Sequence, residues 1–276
     1  MPKRLSIIVP AYNEQDRLGP MLAAYLPYFT ERFGTDFELI VSVNGSRDAT
    51  ETVARSFLPA YPSVLRVLVT PEPVGKGAAI LIGGKTATGD LIGFVDADGA
   101  TPPSAFLDLV DSIGDAGLIL ASRRLPGAVV SPRQPLRRRI ASRVFNTIVR
   151  ALFKIPITDT QCGAKLLSAD AWNAVAPKIG LTRWAFDVDL IFQTRRAHYP
   201  IREIPTVWRD VPGSRLRLGR TSLQMFLAVC RLRLLHTPFR FIVALYDRIP
   251  GRFVRLNPYT APIQDPPPPP QGPTAP

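Results

Sequence analysis

The chain has 276 residues, 46% of them hydrophobic and 20% charged; this is a globular profile with material for a sizeable core, and it excludes a disordered chain. The formal net charge is +12, from 34 Lys plus Arg against 22 Asp plus Glu, so the expected partners are anions: nucleic acid, nucleotide phosphates or acidic lipid headgroups. Two distant cysteines, Cys162 and Cys230, form no C-x-x-C pair, which excludes a zinc ribbon and a dithiol redox motif.

In chain order, the β-branched run Leu5–Val9 predicts a buried strand ended by Pro10. A helix is expected over Met21–Phe33, a strand over Glu38–Val43 closed by the Asn44-Gly45-Ser46 turn, and a helix over Asp48–Phe57. A strand at Leu65–Val69, a glycine-led helix at Gly75–Thr86 and a strand at Leu91–Val95 follow, then a helix at Pro102–Ile113 and a strand at Gly117–Ala121. Strands alternating with helices at this spacing predict an α/β sandwich with a mostly parallel sheet. Ligands of such sheets sit beyond the carboxyl ends of the strands, where Pro10–Glu14, Asn44–Ser46 and Asp96–Asp98 all fall.

The second half has a different texture. Leu136, Ile140, Val144, Ile148 and Leu152 form an apolar stripe over Leu136–Phe153, with Arg139, Arg143, Asn146 and Arg150 opposite, which predicts a basic amphipathic helix. The segments Ser222–Leu235 and Phe239–Tyr246 are apolar but shorter than the roughly 20 residues that span a bilayer, so they are expected to lie in the membrane interface. The N-terminal apolar run is too short for a secretory signal, which places the expected activity in the cytosol or on a surface facing it. From Asn257 onward the chain is proline-rich and is expected to be disordered or polyproline.

Asp96-Ala97-Asp98 follows the apolar run LIGFV and precedes Gly99. Two carboxylates two residues apart at a strand end can share a hard divalent cation, Mg²⁺ or Mn²⁺, completed by substrate phosphates and water. Such a cation neutralises charge on a departing diphosphate.

The motifs IIVPAYNE (Ile7–Glu14), NGSRDAT (Asn44–Thr50), GKGAAI (Gly75–Ile80), DADGATPP (Asp96–Pro103), SRR (Ser122–Arg124), DTQCGAK (Asp159–Lys165) and WAFDVD (Trp184–Asp189) occur in that order. Together they resemble family 2 glycosyltransferases, and most of all the branch of dolichyl- and polyprenyl-phosphate glucose and mannose synthases. The resemblance implies a GT-A fold, a three-layer α/β/α sandwich, over residues 1–215, with interface helices over 216–256 and a tail over 257–276. It implies that a hexose passes from a nucleotide-sugar, UDP-glucose or GDP-mannose, to a lipid phosphate at the cytoplasmic face of a membrane. By the same resemblance, Pro10, Ala11, Tyr12, Glu14, Asn44, Lys76 and Ala97 would meet the nucleotide-sugar, while Asp96 and Asp98 would hold donor and metal. Arg123, Arg143, Gln161, Trp208 and Arg215 would serve the acceptor phosphate. Asp98, Asp187 and Arg215 would be the catalytic positions.

Departures from that pattern shape the expectation. Val43-Asn44 stands where an acidic pair is usual, and Asp189 where Glu is typical. The segment Gly180–Trp184 lacks the glutamine of the Q-x-x-R-W signature of processive synthases, which favours a single transfer. Chemistry points the same way. A lipid phosphate is largely ionised at neutral pH and needs positive charge around it more than it needs a general base. The competing readings are a family 2 transferase with another glycolipid or polysaccharide acceptor, or an inactive nucleotide-sugar or membrane-binding module. No nucleic-acid recognition motif is present. His198 and His236 lack metal spacing and read as structural, and Trp172 reads as core.

Overall fold

Alternating apolar positions in the first strand decide the layering. In β1 (Leu5–Ala11), Ile7 and Val9 join a core with Leu22, Tyr25, Phe29 and Phe106, while Ile8 joins a second core with Ile80, Phe94, Trp172 and Phe186. A strand buried on both faces needs helices on both faces, which is the three-layer arrangement. The computed structural model describes residues 4–132, 136–180, 185–209 and 218–247.

The first half follows the expected alternation: α1 (Gln15–Phe33), β2 (Phe37–Asn44), α2 (Thr50–Ser56), β3 (Leu65–Thr70), α3 (Lys76–Thr86), β4 (Leu91–Phe94), α4 (Pro103–Ser112) and β5 (Leu118–Ser122). Helix α1 begins six residues before the predicted Met21, because Glu14 O accepts from the N–H groups of Arg17 and Leu18 and the helix runs through Pro20. The lost proline N–H is offset by burying Leu18, Met21, Leu22 and Tyr25 on one face. The pieces between residues 154 and 209 carried no predicted element. They fold as β7 (Lys165–Ser168), α6 (Ala169–Val175), α7 (Phe186–Arg196), β8 (Ile201–Pro205) and β9 (Val207–Arg209), and β9 pairs in parallel with β6 (Val129–Ser131). Helix α7 is buried continuously from Phe186 to Thr194, Asp187, Asp189 and Gln193 included, so its polar residues do not mark a solvent face.

The main sheet runs β3-β2-β1-β4-β7-β5-β8, parallel except for β7, which is antiparallel to both β4 and β5. Insertion of β7 brings the preceding DTQCGAK loop beside the end of β4, where the D-x-D motif lies.

Helix α5 (Leu136–Phe153) has the predicted limits, and the structure sets which of its faces packs inward. Asn146, Val149 and Phe153 are buried, while Leu136, Ile140 and Val144 are 65%, 52% and 54% exposed alongside Arg139, Arg143 and Arg150. Asn146 decides this rotation: its Oδ1 accepts from Thr160 N at 3.0 Å and Thr160 Oγ1 at 2.8 Å, so this one residue of the basic face points inward. Part of the apolar stripe is thereby turned outward. Helices α8 (Leu218–Leu235) and α9 (Arg240–Asp247) follow, and α9 presents Phe241, Ile242 and Leu245 to the outside. No helix among the described residues is long and apolar enough to cross a membrane.

Candidate active site

Three loops at the carboxyl ends of β1, β2 and β3 are stitched into one rim, which Lys76 joins to the loop after β4. After β1, Asn13 takes a left-handed φ of 54°, which its short amide side chain tolerates. Asn13 N donates to Ser46 Oγ at 3.1 Å, Arg47 N donates to Asn13 Oδ1 at 2.8 Å, and Glu14 N donates to Thr50 Oγ1 at 2.7 Å. Gly45, at φ 61°, must be glycine: a Cβ there would lie 2.3 Å from Pro73 N. Asn44 Oδ1 accepts from Val74 N at 2.7 Å and Gly75 N at 3.3 Å. The Asn44 amide oxygen thus places the start of α3 and with it Lys76.

Tyr12 stands 47% exposed at this rim, whereas Ala11 and Ala97 are core residues and can offer a ligand only their backbone. Pro10 lies in the ladder opposite Ser42. Glu14 pairs with Arg17 at 2.6 Å.

Lys76 Nζ reaches Asp96 Oδ1 at 2.6 Å. Burial opposes the Lys76 charge, but Asp96, then Asp187 and Asp98, outweigh it and raise its pKa. Burial and the neighbouring Asp96 hold the Asp98 carboxyl above its usual range, although Ala100 N donates to Asp98 Oδ1 at 3.0 Å. The same burial and the same two aspartates push up the phenol of Tyr25 beneath them. Gly163 closes the other side of Asp96: a Cβ there would fall 2.1 Å from Asp96 Oδ2. The DTQCGAK loop can approach the carboxylate this closely only through a glycine.

Asp187, at the start of α7, is buried and meets Lys165 Nζ at 2.6 Å. Lys165 has no solvent exposure; its ammonium also donates to Cys162 O at 2.6 Å and lies 5.5 Å from the Phe94 ring centre. Burial works against the Asp187 carboxylate, but Lys165 and Lys76 outweigh it and keep its pKa below the ordinary value. Lys165 was not singled out from the sequence. Its signal was a lysine flanked by Ala164 and Leu166-Leu167, a polar intrusion into a buried strand.

Around the end of β5, Arg123 grips Asp159 with two parallel bonds, Nε to Oδ2 at 2.7 Å and Nη2 to Oδ1 at 2.9 Å. Its guanidinium lies 4.8 Å from the Trp208 ring centre. Burial opposes the Asp159 charge, but Arg123 outweighs it and brings the carboxyl down to about 2. Arg124 donates to Thr158 O at 3.0 Å and to Ser142 Oγ at 2.7 Å, joining this region to α5, where Arg143 is exposed. Two buried donors here, Gln161 Nε2 and Trp208 Nε1, find no acceptor among the described residues. Arg215 and Trp184 lie outside the described residues, as do the side chains of Arg137 and Arg138. His236 packs against Phe192, and Trp172 is buried, in line with their structural reading.

The rim therefore gathers Tyr12, Lys76, Asp96, Asp98 and Asp187 at one edge of the sheet, with Arg123, Gln161 and Trp208 beside it. A family model described as glycosyl transferase family 2 matches residues 6–175. The dolichyl-phosphate beta-glucosyltransferase of Dictyostelium discoideum is 32% identical over 253 residues, covering 88% of this chain and 76% of that protein. The human dolichyl-phosphate beta-glucosyltransferase is 33% identical over 235 residues, covering 81% and 72%. Among solved structures, glucosyl-3-phosphoglycerate synthase from Mycobacterium tuberculosis in complex with uridine diphosphate superposes with a TM-score of 0.64 at 21% identity, covering 84% of this chain and 80% of that one. The same synthase in complex with Mn²⁺, uridine diphosphate and phosphoglyceric acid gives 0.64 at 20% identity. At that identity the likeness carries the GT-A fold. With its motifs in family order along a matching sheet, the chain belongs to glycosyl transferase family 2.

Proposed function

We propose that this chain transfers glucose from a nucleotide-sugar to a dolichyl or other polyprenyl phosphate, with inversion, while seated on a membrane surface. The carrying observation is the carboxylate pair Asp96/Asp98 set against Lys76 beyond the sheet, with a second cationic region at Arg123 beside it. Relatives at about a third identity named for this glucosyl transfer support the acceptor and the sugar. GDP-mannose is the alternative donor, and 1–215 and 216–256 are the corresponding catalytic and interface regions.

The residues fit a divalent cation. Two carboxylates are the hard oxygen donors such an ion takes, and burial and Asp96 together disfavour the charge on Asp98, a conflict that a cation held there would relieve. Asp96 and Asp98 would hold it, as Mg²⁺ or Mn²⁺; the neighbouring synthase was solved with Mn²⁺. When bound, the ion offsets negative charge on the departing diphosphate.

The chain's own groups do the rest. Lys76, held by Asp96, adds a fixed positive charge beside the donor phosphates. An oxygen of the lipid phosphate attacks the anomeric carbon from the side opposite the diphosphate. The bond from that carbon to the diphosphate oxygen breaks, and its electron pair leaves with the diphosphate. The attacking oxygen carries no proton, so Asp187, kept ionised by Lys165, acts by orienting rather than by deprotonating. Gln161 Nε2 and Trp208 Nε1 supply donors for the incoming phosphate, beside Arg123 and Arg143. Exposed apolar residues on α5 and α9 keep the chain on the surface that carries the lipid.

Incubation with radiolabelled UDP-glucose, dolichyl phosphate and Mn²⁺ is expected to yield an acid-labile glucolipid, and radiolabelled GDP-mannose far less product. Labelled lipid from neither donor would overturn the reading.

A further inference from the structure

A cavity of about 310 Å³ lies between the C-terminal ends of α5 and α7 and the last turns of α8. Leu152, Phe153 and Phe192 supply its apolar lining, and Lys154, Arg195, Arg196 and Arg233 its cations. No acidic side chain lines it, and none of the four cations meets a carboxylate among the described residues. Arg195 donates through Nη1 to the carbonyl of Lys154, which itself takes a left-handed φ of 52°, and Arg196 lies 5.7 Å from the Phe192 ring centre. Two helix C-termini meet here, and their carbonyls hold the cations where they stand, Arg195 on that of Lys154. Four cations that meet no carboxylate among the described residues, set against apolar side chains, form an anion receptor of headgroup size.

The cavity is separate from the D-x-D rim. Asp187 opens α7 at the catalytic edge, and Arg195 and Arg196 close it, about 14 Å further along the helix axis. After α7 the chain reaches Pro200, whose carbonyl accepts from Gly117 and Leu118 at the amino end of β5. The cavity therefore lies toward the amino ends of the strands, away from the D-x-D rim.

What borders it selects the ligand. His236 packs on Phe192 with ring centres 4.9 Å apart, and directly beyond it the chain turns into α9 with Phe239, Phe241, Ile242 and Leu245 exposed. A phosphate held by Arg196 and Arg233 would have this apolar helix beside it.

We infer that this cavity is a headgroup site for an acidic phospholipid, which docks the chain through its phosphate while α9 lies among the acyl chains. The site is distinct from the acceptor site, and it shares with the proposed function only the placement on a membrane. Guanidinium groups suit a phosphodiester, and an anionic surface concentrates such ligands against a basic chain.

Cosedimentation of the full chain with phosphatidylcholine vesicles, with or without one-fifth phosphatidylglycerol, tests it. Wild type is expected to bind the acidic vesicles about tenfold or more tightly than the neutral ones. Arg196→Gln with Arg233→Gln should lose most of that preference while keeping the wild-type Tm. The pair Arg32→Gln with Lys178→Gln removes the same charge from exposed positions elsewhere and should keep the preference. Arg196→Lys with Arg233→Lys should retain a large part of it. If the two double Gln variants behaved alike, general charge would explain the binding and the cavity site would be overturned. Stabilisation by inorganic phosphate that Arg196→Gln/Arg233→Gln abolishes, with vesicle preference unchanged, would reassign the cavity to soluble phosphate and overturn the lipid proposal. Equal binding to both vesicle types would overturn the cavity site and leave the membrane reading standing; binding to neither would overturn both.

Discussion

At the carboxyl edge of the sheet, Asp96, Asp159 and Asp187 each meet a basic side chain within 3 Å. At the junction of α5, α7 and α8, Lys154, Arg195, Arg196 and Arg233 meet no carboxylate among the described residues. The contrast separates two uses of charge. Pairs inside the chain hold charged atoms in a set geometry, so a reacting group meets a field that needs no rearrangement. Cations that meet no carboxylate among the described residues are placed to take an anion from outside.

The largest expected effect breaks the first region at its centre. Asp98→Asn keeps an oxygen for the Ala100 N–H but removes the charge, and should lower kcat/KM by about a thousandfold or more without shifting Tm. Undiminished transfer would remove Asp98 from the reaction. Next, Lys165→Met leaves Asp187 buried without its partner and should cost about 3–5 kcal/mol in urea unfolding. Adding Asp187→Asn should return most of that stability but not the activity, which separates packing from chemistry.

A third expectation concerns pH. Asp159 is fully buried, with its carboxyl brought down to about 2 by Arg123. A depressed folded value means that the contribution is complete above the unfolded pKa of about 4 and disappears as pH falls toward 2; its size is about 2 kcal/mol. The stability difference between wild type and Asp159→Asn should therefore shrink over that interval, and a difference constant with pH would show that the pair is not the cause. The smallest effect lies on the outward-facing side. Phe241→Ser, at an exposed position on α9, should weaken vesicle binding by about 1–2 kcal/mol and leave Tm unchanged. Equal binding would place the contact elsewhere.

The strand ends were legible because each closes a short apolar run, which puts Pro10–Glu14, Asn44–Ser46 and Asp96–Asp98 on one edge of a parallel sheet. What sequence could not show is which charges are matched. Lys165 and Asp187 are 22 residues apart, and Arg123 and Asp159 are 36 apart; only the antiparallel insertion of β7 and the loop before it brings such partners together. The rotation of α5 was hidden for a related reason. Its apolar stripe outweighs one asparagine by periodicity, yet Asn146 satisfies two donors of Thr160 that would otherwise be buried unpaired, and those hydrogen bonds turn the helix. The Lys154–Arg233 cavity was illegible because its residues come from three helices, and each cation alone reads as a solvated charge.

The central claim is that Asp96 and Asp98 hold the donor through a divalent cation. It is tested most directly by calorimetric titration of UDP-glucose into wild type and Asp96→Asn, each with Mn²⁺ and with chelator. Binding should be tight only for wild type with Mn²⁺, and weaker by tenfold or more in the other three combinations. One Kd shared by all four would contradict the role of the carboxylate pair.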